Sequence, residues 1–388
     1  MEFALWLLVP AAALTGWLGA RRYFRTRSKS DKGSALRSEY FSGINHLLNE
    51  QPDKAIEAFI RVLEVDAETF ETHISLGNLY RRRGEVDRAI RVHQNLISSG
   101  NDNQQRAEAM LELGQDYLSA GLLDRAEDLL LELVESERYR VQALRQLIDI
   151  YEQEKDWAKA VNTARQLGSE TGSDLGAVIG QYWCEEADAA RANGGPEQAL
   201  EFVERALETY PNCARASILA GDVLSEAGRY SEAIEAYRRV EQQDPDYLPE
   251  VVEPLRECAS KSGESDAVID YLGHVMQAYG GITPTLALAE LLEEQAGREH
   301  AAAFMTEQLQ KRPTIRGFRR LMELEISRAG TGQKPHLEVL RDLTVELLSE
   351  RPVYKCHHCG FPARSLHWQC PGCKHWATVR PIQGVEGE

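Results

Sequence analysis

The strongest constraint on the fold of this chain is a short motif that recurs at intervals of 34 to 39 residues. Each copy places an alanine inside a charged helical pattern such as DKAIEAF, DRAIRVH or SEAIEAY. A small or apolar residue stands twelve positions before each alanine, in most copies a glycine. A single short helix pair cannot bury its apolar face, so this period predicts stacked helix pairs. The clear copies are centred on Ala55, Ala89, Ala126, Ala160, Ala199 and Ala233, with weaker continuations at Ala267 and Ala301.

This pattern resembles the tetratricopeptide repeat, whose unit is two antiparallel helices. The resemblance assigns residues 34–351 to about eight to nine helix pairs, with a terminal pair over 314–350. It implies an all-α superhelix in which the first helix of each pair lines a groove. The predicted function is therefore a surface for other proteins rather than a reaction.

Groove positions in phase with the repeat are candidates for partner binding. They include Asn78, Arg81 and Arg82 in the second repeat and Arg145 in the fourth. The alternative is that these are ordinary solvated positions. The family's carboxylate clamp needs a basic residue where this chain has Ile74, so docking of a chaperone C-terminus is not predicted.

The first repeat has an apolar stripe at positions that are usually polar. Its residues are Tyr40, Ile44, Leu47 and Leu48. We expect another subunit, a partner or the C-terminal domain to cover the stripe, because large apolar patches are seldom left exposed. The alternative is a repeat phase shifted by one residue, which makes the stripe plain core.

The N-terminus has the features of a membrane anchor. Residues 3–20 carry no charge, and a helix of that length is about 27 Å long, close to the thickness of a hydrocarbon core. All the nearby bases follow this run, so the positive-inside rule leaves the rest of the chain in the cytoplasm. We predict a transmembrane anchor over 1–20 and a basic linker over 21–33. A signal peptide and a core helix are the alternatives; a signal peptide has its charges before the apolar run.

The remaining chain is acidic. The formal net charge is −17, to which residues 1–32 contribute +4 and residues 33–388 the remaining −21. A nucleic-acid-binding protein needs a basic face, so we predict no nucleic-acid partner. The sequence has no nucleophile elbow, phosphate loop or dinucleotide fingerprint, and we predict that the protein is not an enzyme.

Two C-x-x-C pairs near the C-terminus predict a metal site. Their residues are Cys356, Cys359, Cys370 and Cys373, in a segment over 352–388 that is too short for a self-sufficient core. The pattern resembles rubredoxin-type knuckles and zinc ribbons, and it accepts one iron or zinc ion. Gly360 and Gly372 are expected to supply the unusual backbone angles of the two turns.

The cysteines and histidines of the sequence also allow other assignments. Two disulfides are the alternative for the four cysteines, and His357, His358, His367 and His375 are alternative ligands. A rubredoxin-like iron site able to pass one electron is the enzymatic alternative. Cys184, Cys213 and Cys258 are interpreted as packing residues inside helices.

Taken together, the chain resembles the bacterial lipopolysaccharide assembly protein B family over residues 1–388. The most telling stretches are LGNLYRRRGEVDRAIRVHQ (76–94), DRAED (124–128) and the tail from Tyr354 through VRPIQG (379–384). The resemblance implies a single-pass protein of the bacterial inner membrane, with most of the chain on the cytoplasmic side.

The same resemblance implies partners. It predicts an adaptor that promotes degradation of the lipid A pathway deacetylase, of the LpxC type, by a membrane protease of the FtsH type. It also predicts a lipopolysaccharide-sensing inner-membrane partner. The alternative is a scaffold that gathers lipopolysaccharide synthesis and transport proteins without acting on proteolysis. A homodimer is compatible with either interpretation. We further expect the metal domain to pack on the array, over the apolar stripe of the first repeat.

Overall fold

The computed structural model describes residues 39–388, apart from short gaps at 50, 66–69, 100–101, 329, 331–333, 350 and 386. The chain divides into two compact units, Met1–Lys155 and Asp156–Glu388, each of which is described by itself. The anchor predicted over 1–20 and the linker over 21–33 lie outside the described residues. No helix within the described ranges is long and apolar enough to cross a membrane.

The first unit consists of antiparallel helix pairs. Left-handed glycines at Gly84 (φ 79°) and Gly121 (φ 72°) end α3 and α5 and allow the sharp turns into their partners. Its helices are α1 (39–48), α2 (Pro52–Val65), α3 (Phe70–Arg82), α4 (Val86–Ser99), α5 (Asn103–Ser119), α6 (Leu123–Val134) and α7 (Arg140–Glu154).

The second unit continues with helices and ends in a small sheet. Its helices are α8 (Trp157–Thr171), α9 (Gly176–Ala192), α10 (Pro196–Thr209), α11 (Ala214–Glu226), α12 (Tyr230–Arg238), α13 (Val240–Gln243), α14 (Leu248–Ser262), α15 (Ser265–Ala278), α16 (Thr283–Ala296), α17 (Arg298–Lys311), α18 (Ile315–Arg328) and α19 (Lys334–Ser349). A 3₁₀ turn over Pro245–Tyr247 precedes α14. Helices α18 and α19 pack together, as the sequence predicts for the pair over 314–350.

The sheet has three short antiparallel strands in the order β2-β1-β3. They are β1 (Tyr354–Cys356), β2 (Pro362–Ala363) and β3 (Val379–Pro381). In the central strand, Tyr354 is paired with Ala363 on one side and with Pro381 on the other. The sheet is too small to supply a core of its own. We call residues 353–388 the metal domain.

The buried positions of the repeats follow the sequence period. All six motif alanines are fully buried. Each small residue before them makes room for a larger side chain sixteen positions later. A Cβ on Gly77 would lie 2.3 Å from His93, and one on Gly221 would lie 2.3 Å from the ring of Tyr237. The glycines therefore set how closely the two helices of a pair approach.

One predicted position is wrong by a residue. Ala267, chosen because it lies 34 residues after Ala233, is exposed on α15. Val268 is buried in its place, and the motif returns to its expected phase at the fully buried Ala301. Between residues 230 and 300 one repeat is longer than 34 residues and the next is shorter. A fixed period therefore misplaces the buried position.

Candidate metal centre

Two tight turns present the four cysteines of the metal domain. In the first turn, Gly360 donates its backbone N–H to the carbonyl of Cys356 over 2.9 Å and has a left-handed φ of 81°. In the second turn, Lys374 donates to the carbonyl of Cys370 over 2.8 Å and has a φ of 60°. The prediction that Gly372 supplies the unusual backbone angle is therefore wrong. The residue after the second cysteine needs that angle in both turns.

The four sulfur atoms form a compact cluster. Cys356 Sγ lies 3.8 Å from Cys373 Sγ, and Cys359 Sγ lies 3.7 Å from Cys370 Sγ. All four lie within 4.8 Å of one another, and each cysteine is a free thiol. Four sulfurs at about 2.3 Å from a tetrahedral ion are about 3.8 Å apart. The donor set and its spacing therefore fit one zinc or iron ion.

Hydrogen bonds stabilise the thiolate form of Cys356. Burial raises the pKa of the Cys356 thiol, but hydrogen bonding to Thr378 and from the backbone N–H groups of Cys359 and His358 outweighs it and lowers that pKa to about 5. Cys356 Sγ lies 3.3 Å from Thr378 Oγ1. Metal ions bind the thiolate, so these contacts favour metal binding at neutral pH.

Two of the four histidines of the metal domain lie beside the sulfur cluster. The rings of His358 and His375 stack at 3.7 Å, and both lie near Cys373. His375 Nδ1 is 2.9 Å from the carbonyl oxygen of Cys373. Both histidines are exposed, and four sulfurs already complete a tetrahedral shell.

Aromatic side chains fix the metal domain on the helices of its own unit. Trp368 packs on Tyr247, with ring centroids 4.9 Å apart. Trp376 meets Tyr182 and Trp157 edge-on, at 5.8 Å and 6.0 Å. Such ring pairs stabilise a contact by more than the burial of their apolar area alone. We call these five aromatic residues the aromatic seat.

Polar contacts surround the aromatic seat. Arg380, on β3, forms ion pairs with Asp244, at 3.0 Å, and with Asp246. Tyr354, on β1, donates to Glu250 Oε1 over 2.8 Å. The sequence predicts that the metal domain packs over the first repeat; in the structure it packs on helices and turns of the second unit.

The end of the chain is held by a third set of contacts. Glu388 accepts hydrogen bonds from the backbone N–H and the hydroxyl of Thr283, over 3.1 and 2.6 Å, and pairs with Arg316. The backbone N–H of Ile315 donates to the carbonyl of Val385 over 2.9 Å. The metal domain is thus attached to preceding helices and turns through β1 and β3, its two tryptophans and Glu388.

The apolar stripe of the first repeat lies inside that repeat. Tyr40, Ile44 and Leu47 are half-buried and pack with the cluster around Phe59, and the rings of Tyr40 and Phe59 are 5.8 Å apart. Only Leu48 projects outward, with 77% of its surface exposed. This arrangement agrees with the alternative that the stripe is core.

The predicted groove residues differ in their surroundings. Arg81 is half-buried and bonds to Asn78 Oδ1, to Glu112 and to the fully buried Asp116, each over 2.7 Å. Arg82 and Arg145 are exposed. Arg81 therefore joins α3 to α5, whereas the other two arginines remain available to a partner.

Two features of the structure are not predicted by the sequence. One is the aromatic seat, although the tryptophans of so short a segment are an indication of it. The other is a buried pair in the first unit, in which His93 Nδ1 lies 2.5 Å from Asp116 Oδ2. His93 aligns with Phe59, Leu130 and Tyr237 of other repeats, so comparing the repeats with one another would have identified it as an exception.

Comparison with known proteins agrees with this architecture. Models of the tetratricopeptide repeat match residues 72–107, 111–167 and 184–247. The model described as "Rubredoxin metal binding domain" matches residues 354–381. The chain is 39% identical over 386 residues to lipopolysaccharide assembly protein B of Escherichia coli strain K12, covering 99% of both chains.

The chain belongs to the lipopolysaccharide assembly protein B family. A second member, from Haemophilus influenzae strain Rd, is 34% identical and covers 98% of both chains. Among solved structures, the crystal structure of MamA is similar over 47% of this chain and 94% of that chain, at 19% identity and a TM-score of 0.33. The family assignment confirms the resemblance drawn from the repeat motifs and the cysteine tail.

Proposed function

We propose that this protein is a non-enzymatic adaptor that promotes degradation of an LpxC-type deacetylase by an FtsH-type membrane protease. The name of its relatives, lipopolysaccharide assembly protein B, supports a role in the lipopolysaccharide pathway. The helical repeats supply extended surfaces suited to binding proteins. In this proposal the array and the metal domain together present the substrate to the protease.

The proposal rests on the packing of the metal domain against helices of the second unit. Trp368 and Arg380 contact the turn over 244–247, and Glu388 contacts Thr283 at the start of α16. A metal domain of 36 residues depends on its ion for much of its folding free energy. Loss of the ion would therefore remove part of the surface that partners meet.

The decisive experiment measures the half-life of the deacetylase in cells that carry a double variant, Cys356→Ser with Cys359→Ser. We expect the half-life to lengthen several-fold because the metal domain no longer folds. Cys258→Ser is the matched control, since Cys258 is a buried cysteine of α14 outside the metal site. An unchanged half-life in the double variant, with the control also unchanged, would reject the adaptor role of the metal domain.

We further propose that residues 1–20 anchor the protein in the inner membrane, with the repeats in the cytoplasm. Anchoring confines the array to the bilayer plane and raises its effective concentration near a membrane protease and a lipopolysaccharide-sensing membrane partner. The protein should resist extraction of membranes with alkaline carbonate. A form lacking residues 1–20 should fold but regulate poorly; full regulation by that form would exclude this role of the anchor.

A scaffold for lipopolysaccharide synthesis and transport proteins is the second candidate. An exposed apolar face on α19 favours it, because large apolar side chains in one patch are typical of docking surfaces. Val339, Leu343 and Leu347 are each more than half exposed on this face. The deacetylase half-life distinguishes the two candidates. If the protein is a scaffold, removing it leaves that half-life unchanged.

A further inference from the structure

Two cysteines that the metal site does not use lie side by side in the second unit. Cys184, on α9, and Cys213, the residue that caps the N-terminus of α11, have Sγ atoms 3.8 Å apart. Both side chains are buried, with 0% and 1% of their surface exposed. The third such cysteine, Cys258, has no thiol neighbour and hydrogen-bonds to Ser225 over 3.3 Å.

The surroundings of the two thiols differ in a way that suits a reactive pair. A hydrogen bond from Cys184 and the backbone N–H groups that begin α11 lower the pKa of Cys213. Burial raises the pKa of Cys184. The side-chain amide of Gln181 also lies 3.7 Å from Cys213 Sγ. Cys213 is therefore the thiol that ionises first, and a thiolate is the form that reacts with oxidants.

We propose that Cys184 and Cys213 form an oxidisable dithiol whose disulfide joins α9 to the start of α11. The oxidant is hydrogen peroxide. The Cys213 thiolate attacks one peroxide oxygen, and protonation of the departing hydroxide gives water and a sulfenic acid on Cys213. The sulfur of Cys184 then displaces the sulfenic hydroxyl as a second water. Two thiols are oxidised and one peroxide is reduced to two waters.

Closing this disulfide requires movement next to the seat of the metal domain. The sulfurs must approach from 3.8 Å to about 2.0 Å. Arg215, two residues after Cys213, pairs with Glu185 and Asp188 of α9 over 2.8 and 2.7 Å. Its guanidinium carbon also lies 5.6 Å from the ring centroid of Trp368. A shift between α9 and α11 therefore reaches Trp368 through Arg215.

The test uses the full-length, metal-loaded protein treated with hydrogen peroxide. The remaining thiols are alkylated, the protein is digested without reductant, and linked peptides are identified by mass spectrometry. We expect most of the protein to contain a peptide that links Cys184 to Cys213. The same peptide should form in Cys258→Ser and be absent from Cys213→Ser. Recovery of residues 184 and 213 as alkylated thiols, at doses that oxidise other cysteines, would overturn the dithiol.

Hydrogen exchange tests the connection to the metal domain. In the oxidised wild-type protein the amides around Trp368 should exchange several-fold faster, whereas peroxide-treated Cys213→Ser should show no such change. An oxidised protein that contains the linked peptide but exchanges at the original rate around Trp368 would overturn that connection. The wild-type measurement does not depend on whether either variant folds.

Discussion

Tyr247 donates a hydrogen bond from its phenol hydroxyl to the backbone carbonyl of Val379, over a distance of 3.1 Å. The donor precedes α14 and the acceptor lies in β3, so this bond joins the helices to the sheet that carries the metal site. Tyr247 is buried, and burial raises the pKa of its hydroxyl, which therefore stays a donor across the physiological range.

Tyr247→Phe should loosen the metal domain. The substitution keeps the ring that packs on Trp368 but removes the donor for a buried carbonyl, at a cost of about 1–2 kcal/mol. Stability and metal binding are linked, so the ion should leave several-fold faster when a chelator is added. The measurement is the rate of metal transfer to a coloured chelator.

A matched substitution separates docking from general stability. Tyr237→Phe removes a hydroxyl that donates to Asp222 over 2.8 Å, within the helices. It should lower the free energy of unfolding of the repeats without speeding metal release. Equal acceleration of metal release in both variants would contradict a specific role for Tyr247.

Gly221→Ala tests whether the small position of the repeat sets the helix spacing. The added methyl would lie 2.3 Å from the ring of the buried Tyr237, and overpacking of this kind costs about 1–3 kcal/mol. Chemical denaturation followed by circular dichroism should show this loss.

Gly273→Ala is the control, and it should have the opposite sign. Gly273 lies within α15, and a Cβ there meets nothing within 4 Å. Replacing glycine by alanine in a helix should therefore stabilise the protein by about 0.5–1 kcal/mol. A loss of stability at both positions would show that the close contact with Tyr237 is not the cause.

The sequence predicts the helix pairs and the four metal ligands because both depend on short, regular spacing. The 34-residue period locates Ala55 and Ala233 in the core without any knowledge of the partners that they contact. It fails at Ala267, where the length of the repeat changes. The C-x-x-C spacing likewise defines the sulfur cluster, since each turn fixes two ligands locally.

The sequence does not predict where the metal domain sits. That position depends on pairs such as Tyr247 with Val379 and Arg380 with Asp244, whose members are more than 130 residues apart. No local pattern links such residues. The same is true of Cys184 and Cys213, which the sequence presents as separate packing residues and the fold brings into contact.

Glu250→Gln should change how stability depends on pH. Burial raises the pKa of Glu250, although its hydrogen bond from Tyr354 opposes that rise. The folded state therefore binds this proton more tightly than the unfolded state, whose pKa is about 4.3. The resulting stabilisation is fully present below the unfolded pKa and is lost as the pH rises through the folded pKa.

The glutamine variant stays neutral and still offers an oxygen to Tyr354. Its free energy of unfolding, relative to the wild type at the same pH, should therefore increase as the pH rises above about 4 and level off above the raised pKa of the folded state. Measuring both proteins at each pH cancels the pH dependence of metal binding. Glu257→Gln controls for the loss of a negative charge on α14. A difference between Glu250→Gln and the wild type that does not vary with pH would contradict the prediction.

Removal of the metal should unfold the metal domain and leave the helices intact. Without an ion, nothing joins the four sulfurs of the two turns, and the sheet over 354–381 has too little buried apolar surface to persist. After treatment with a strong chelator, amides of this segment should lose protection from hydrogen exchange, while far-ultraviolet circular dichroism keeps its helical signal. The tryptophan fluorescence should change because Trp368 and Trp376 lose their contacts with Tyr247, Tyr182 and Trp157. Elemental analysis and a visible spectrum of the starting protein identify the ion, since an iron–sulfur site is coloured and a zinc site is not.

Cys258→Ser should retain one ion per chain and respond as the wild type does. Full protection of residues 354–381 after complete metal removal would show that the seat alone holds this domain.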